Sequence, residues 1–380
     1  MIYFDNAATT FPKPPRVIKA VEFAMLNGVN IGRGSYGAAK RAGDIVFAAR
    51  EEAARQFGAE PENVVFTKNC TEALNMAIKG VVLNEKTPPH VITTNLEHNS
   101  VLRPLERLKT DGKCTYSVAK VSENEEETIF SIFEKVRSNT RLIVATNASN
   151  AFGNILPIKE IGRKAREKGI YFIVDCAQTA GSLPITLKDY NADILCMAGH
   201  KGLFGPMGTG LMIIRENLKL KTILEGGTGS YSSLLSPPEI YPDRYEAGTL
   251  NFPGIAGLLE GLKFSSENRE ESYKKEMNLI RYLYEGLGNL PTEIYTPYPE
   301  NYKQMPLLSF NVKGKDSSIV GEALGKEGIA VRSGFHCAYL AHKAHRTEER
   351  GTVRISLSRK NTKKEAEEFI YTLKKLLNKI

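Results

Sequence analysis

The chain has 380 residues, 42% hydrophobic and 25% charged, with 32 glycines and 18 prolines. That is the make-up of a folded globular protein of two or three domains, and it excludes disordered, collagen-like and low-complexity chains. Lysine and arginine outnumber the acids 51 to 43, a net charge of +8, but the excess is spread over helix-like segments such as 363–379, which reads as solvated helix faces before it reads as a nucleic-acid surface.

The opening Met-Ile-Tyr-Phe-Asp-Asn has neither a basic start nor an apolar stretch, so no secretory leader is expected. No apolar run approaches the ~18 residues of a membrane-spanning helix. Short β-branched runs then alternate with helical stretches. Strands are predicted over 63–67, 91–94, 141–146, 171–175, 194–197 and 211–214, with helices such as 71–79, 101–108 and 158–168 between them. This alternation predicts an α/β fold with a mostly parallel sheet covered on both faces. The Pro-rich stretch 236–244 is either an ordered loop or an exposed connection. Near 250–257 the pattern changes to one long helical segment, then strands at 293–295, 307–312, 330–332 and 353–357 and a closing helix from Lys363, a smaller α+β domain.

In open parallel sheets ligands collect at the carboxyl ends of the strands. The polar residues here fall at such ends: Cys70-Thr71-Glu72, Glu97-His98-Asn99-Ser100, Asn147-Ala148-Ser149-Asn150, Asp175-Cys176-Ala177-Gln178 and Gly199-His200-Lys201. Lys201, held among glycines after an apolar strand, is placed to lose its solvation and become a nucleophilic amine suited to an aldehyde. A phosphate-binding lysine is the alternative, but the glycines follow Lys201 and the Walker spacing is missing. Asp175 ends the apolar run 170–174 and needs a cationic partner. A protonated pyridine nitrogen would be one, and pyridoxal 5'-phosphate needs this lysine–carboxylate pair. Thr71 opens a helix, either as a phosphate site or as a plain cap, and His98 is either a satisfied histidine or a stacking, proton-moving one.

The five cysteines, Cys70, Cys114, Cys176, Cys196 and Cys337, form no disulfide framework, and a reducing cytoplasm is expected. Cys337 alone lies in a cationic, glycine-containing turn, Arg332-Ser333-Gly334-Phe335-His336-Cys337, a setting that favours the nucleophilic thiolate. The same region offers a rival, a zinc set of His336, Cys337, His342 and His345, although the spacing matches no common finger and no metal is expected. Arg354, inside the apolar run 352–357, suits bidentate capture of a carboxylate or is an edge-strand surface residue.

Together with the segment 3–10 and Glu246-Ala247-Gly248-Thr249, these motifs resemble the cysteine desulfurase and selenocysteine lyase family of class-V aminotransferases, nearly end to end. The resemblance implies a fold-type-I large domain over 14–257, with a mostly parallel seven-stranded sheet between helices. Residues 1–13 and 258–380 would form the small domain that carries the cysteine. It implies Lys201 as the Schiff-base lysine and Cα base, Asp175 on the pyridine nitrogen, Gln178 on the ring hydroxyl and His98 stacked on the ring. Cys70, Thr71 and His200 would help hold the cofactor and its phosphate, with Thr249 arriving from the second subunit of a homodimer. Asn150 and Arg354, with Ala7, Asn30 and Arg332, would meet the substrate, and Cys337 would accept its sulfur.

Two departures stand out: Ala198 replaces a frequent serine, and Gly32 a frequent histidine near the substrate entrance. The expected activity converts L-cysteine to L-alanine and leaves a persulfide on Cys337 for a separate acceptor protein, with no membrane or direct nucleic-acid partner. Selenocysteine lyase is the alternative, and a non-enzymatic zinc- or nucleic-acid-binding protein a more distant one.

Overall fold

The computed structural model describes residues 1–31 and 34–377; Gly32, one of the two departures, lies outside them. Strand β1 (Ile2–Tyr3) pairs in parallel with a strand far along the chain, described below. The large sheet consists of β2 (Val64–Thr67), β3 (His90–Thr94), β4 (Thr115–Ala119), β5 (Thr140–Thr146), β6 (Tyr171–Asp175), β7 (Ile194–Ala198) and β8 (Gly210–Ile214). Its order is β2-β8-β7-β6-β5-β3-β4, parallel except for β8, which is antiparallel to both its neighbours.

Helices cover both faces, so the central strands are buried through and through and read as continuous apolar runs. Alternate residues of one strand feed two separate cores. Phe172 and Val174 of β6 and Leu195 and Met197 of β7 join one, while Ile173, Ile194 and Cys196 join the other.

The second unit is an antiparallel sheet of β9 (Thr292–Ile294), β10 (Leu307–Val312), β12 (Arg332–Gly334) and β13 (Thr352–Ser356), in the order β12-β13-β10-β9. The partner of β1 is β11 (Ile329–Ala330), and an isolated bridge joins Asp5 to Ser356. The closing helix, Lys363–Leu376, starts on a capping box in which Thr362 and Glu365 satisfy each other's backbone N–H.

The structure departs from the sequence-based expectations in particular places. β4 was not expected: its residues are exposed or half-buried up to Ala119, because it is the edge strand. The long helical segment is two helices, Phe252–Ser266 and Arg269–Gly288, broken where Asn268 adopts a left-handed φ of 47°. The strand expected at 330–332 is split between β11 and β12. In the Pro-rich stretch Ile240 is exposed, yet Tyr241 Oη donates to Leu218 O at 2.6 Å, so an open connection is anchored at one end.

Candidate active site

The ends of β2, β3, β5, β6 and β7 meet a loop of the small sheet around a cavity of about 230 Å³. Ala7, Cys70, Thr71, His98, Asn150, Asp175, Gln178, His200, Lys201, Arg332, Cys337 and Arg354 all line it. Two of the expected residues do not. Thr249 lines a different cavity with Thr67, Lys68 and Glu72, and Asn30 is exposed beyond the helix Pro15–Asn27.

The floor is built from strand and helix ends. Asp175 closes β6, and its Oδ1 accepts from Ala177 N at 2.9 Å and from the Cys70 thiol at 3.4 Å. Cys70 begins the helix Cys70–Val82, capped by Asn69, so the positive end of that helix faces the cavity. Burial and the neighbouring Asp175 push the Cys70 thiol well up, and it stands there as a neutral donor. Burial lowers the basicity of Lys201, and the charge of Asp175 opposes that shift, which places the two within electrostatic reach of each other. The glycines beside Lys201 are required by close packing: a Cβ on Gly199 would sit 2.2 Å from Thr209 Oγ1, and one on Gly202 2.4 Å from Ala180 O.

His98 caps the helix Asn99–Thr110. Its Nδ1 accepts from Ser100 N at 3.0 Å and lies 2.8 Å from Ser100 Oγ, which puts the ring proton on Nε2. Burial lowers its pKa, so the ring is neutral. His200 is pulled down to about 4 by burial and by the charges of Lys201 and Lys13, and its buried Nδ1 has no partner. One further group went unsingled in the sequence although it lies inside a motif. Glu97 is fully buried, its Oε1 accepting from Thr94 Oγ1 (2.6 Å) and Thr146 N (2.9 Å), its Oε2 unpartnered, and burial pushes it up to about 8. A carboxylate in sequence signals surface; in the structure the backbone N–H of Thr146, paired in register with Asp175, holds Glu97.

The rim is the loop 335–338. His336 and Cys337 have φ of 50° and 57°, left-handed values that cost a non-glycine residue on the order of 1–3 kcal/mol when sparsely tolerated. Cys337 is exposed while the other four thiols are buried, and all five are free. Arg354 is not a surface residue: it is 2% exposed, and its guanidinium donates to Asp5 Oδ1 and Asn150 O, each at 2.7 Å. Gln178 Nε2 donates to Ala7 O at 3.2 Å. The histidines of the zinc alternative are engaged elsewhere, His336 Nε2 with Thr352, His342 Nδ1 with Thr347, and His345 stacked on Phe152. Among the described residues no group of three or more His, Cys, Asp or Glu is placed to hold a metal ion.

An amine made less basic by burial, a carboxylate, a helix N-terminus and an exposed thiol around one cavity are the parts of a vitamin B6 enzyme that also handles sulfur. The model of the class-V aminotransferase family matches residues 2–369, and the chain belongs to that family. Its relatives narrow the class to cysteine desulfurases. A probable cysteine desulfurase of Pyrococcus abyssi is 33% identical over 390 residues, covering 100% of this chain and 95% of that protein. One of Methanothermobacter thermautotrophicus is 34% identical over 387 residues, covering 99% and 94%. The apo structure of a cysteine desulfurase from Thermococcus onnurineus NA1 superposes with a TM-score of 0.90 at 31% identity, over 100% of this chain and 95% of that one.

Proposed function

We propose that this protein is a pyridoxal 5'-phosphate-dependent cysteine desulfurase that loads the sulfur of L-cysteine onto Cys337 and passes it to an acceptor protein. The observation that carries the reading is that Lys201, Asp175 and Cys337 line one cavity. The residues fit the cofactor. Asp175 meets the need of a ring nitrogen for a carboxylate, and the N-terminus of Cys70–Val82 with Thr71 suits a phosphate. The unpartnered Nδ1 of His200 offers a further phosphate contact, beside Ala198, where the hydroxyl of the frequent serine is missing. When bound, the cofactor supplies an electron sink that acidifies Cα and loosens the Cβ–S bond.

Lys201, made less basic by burial, takes the Cα proton. His98, neutral and with its proton on Nε2, orients and relays protons from the face it covers. Arg354 receives the substrate carboxylate alongside Asn150, Ala7 and Arg332. The Cys337 sulfur attacks the substrate's sulfur. The S–S bond forms as Cβ–S breaks, and the electron pair passes to Cβ, which takes a proton and becomes the methyl group of alanine. No feature of the structure favours the selenocysteine lyase alternative.

We also take the chain to be a cytoplasmic homodimer with a large domain at 14–257 and a small one formed by 1–13 and 258–380. Five unpaired cysteines support the compartment, and among the described residues no helix is long and apolar enough to cross a membrane. The exposed Met25, Leu26 and Leu235, and the place of Thr249 in a cavity other than that of Lys201, support a second subunit that covers such apolar side chains and lends Thr249. Because Asn30 is exposed in one chain, its substrate role would also require the partner's approach.

The test is mass spectrometry after treatment with L-cysteine. One added sulfur on Cys337 is expected, absent in Cys337→Ala, with a visible chromophore that Lys201→Ala abolishes. A chromophore without any sulfur adduct would leave a vitamin B6 enzyme but remove the desulfurase.

A further inference from the structure

Asn150 occupies an unusual junction. Its side-chain Nδ2 donates to the carbonyl of His336 at 2.6 Å, and its own carbonyl accepts from Arg354 Nη1 at 2.7 Å. The residue is buried in the turn that follows β5, and both bonds are sheltered from water. His336 and Cys337 hold left-handed backbone angles that relax unless the surroundings impose them. The contacts that reach the two residues from outside the loop include Asn150 on the His336 carbonyl, Asn99 N on the Cys337 carbonyl at 2.8 Å, and Thr352 Oγ1 at 3.1 Å from the His336 ring. Asn99 belongs to the helix that His98 caps, so the loop is bolted to two strand ends of the large sheet.

We propose that Asn150 is a positioning residue for Cys337: its amide holds the nucleophile's loop while its carbonyl holds Arg354, so that one residue sets the span between the group that takes the substrate's carboxylate and the group that takes its sulfur. The inference rests on the desulfurase reading for the roles of those two ends.

Asn150→Asp is isosteric, keeps the backbone carbonyl for Arg354 and replaces the donor facing the His336 carbonyl with an acceptor. In the cofactor-loaded protein we expect faster alkylation of Cys337 by iodoacetamide than in the wild type. Single-turnover sulfur loading from L-cysteine should fall about 10²-fold, the scale of a misplacement near 1 Å. Exchange of the Cα hydrogen of L-alanine in heavy water, which needs Lys201 but no thiol, should change by less than about threefold in Thr352→Val, whose side chain lies outside the cavity lining. Thr352→Val loosens the same loop from the small sheet and should raise alkylation in the same direction, which keeps the test available should the aspartate variant fold poorly. Unchanged alkylation in Asn150→Asp overturns the proposal, and, should that variant not fold, so does unchanged alkylation in Thr352→Val or a fall in its alanine exchange as deep as its fall in sulfur loading. A wild type that loads no sulfur defeats the desulfurase reading instead, and alkylation still reports whether Asn150 holds the loop.

Discussion

The floor and the rim of the cavity are made in opposite ways. The floor, Asp175, Lys201, His98 and Cys70, sits on regular strand and helix ends, and its chemistry comes from burial: a less basic lysine, a neutral imidazole, a thiol kept protonated. The rim, His336 and Cys337, sits on left-handed backbone and keeps its sulfur exposed; its chemistry comes from tethers. Charge is tuned where the chain is regular, and position is tuned where it is strained. Substitutions on the floor should therefore alter protonation and spectra, and substitutions on the rim should alter geometry alone.

The broadest effect, on turnover and spectrum together, should come from the floor. Asp175→Asn keeps the shape but removes the charge that opposes the desolvation of Lys201. Turnover should fall by about 10²–10³-fold, as when a preorganised electrostatic partner is lost, with a shifted cofactor spectrum. An unshifted spectrum at full activity would break the comparison. Next comes Cys337→Ala on the rim, which should abolish sulfur loading while the cofactor spectrum and its pH titration stay as in the wild type. A changed titration would mean that rim and floor are electrically coupled.

The smallest effect is a slope. Glu97 is pushed up to about 8 by burial. Between its ordinary value and about 8 the native state holds a proton that the unfolded chain releases, so this group makes stability decline as pH rises through that window. Glu97→Gln should flatten the decline in melting temperature between pH 5 and 8 without removing it, because Glu276 is buried and raised to about 8 as well. An unaltered slope would place the ionised form of Glu97 in the fold.

Much of this was legible because it is local. The strand-end positions of Lys201, Asp175 and His98 follow from apolar runs followed by polar residues, and the cavity they line confirms that they converge. The second setting of Arg354 was less legible. Its pairing with Asp5 depends on the bridge between Asp5 and Ser356, a contact between the two extremes of the chain that no periodicity announces. The edge strand β4 escaped because its outward residues carry no apolar alternation. The reversal at β8 escaped too, because strand direction leaves no mark on composition. Glu97 was visible as a letter in a motif, but its burial goes with a bond to the backbone of Thr146, 49 residues further on.

The stitching of the first ten residues has a consequence for synthesis. β1 joins β11, Asn6 donates to Ser356 O and Asn361 Oδ1, and the carbonyl of His200 gathers donors from Thr9, Thr10 and Lys13. Asn6 thus finds a partner 350 residues further along the chain. Residues 2–6 must wait, undocked, until residues 329–361 have been made, and the chamber that Ala7 and Arg354 line closes only then.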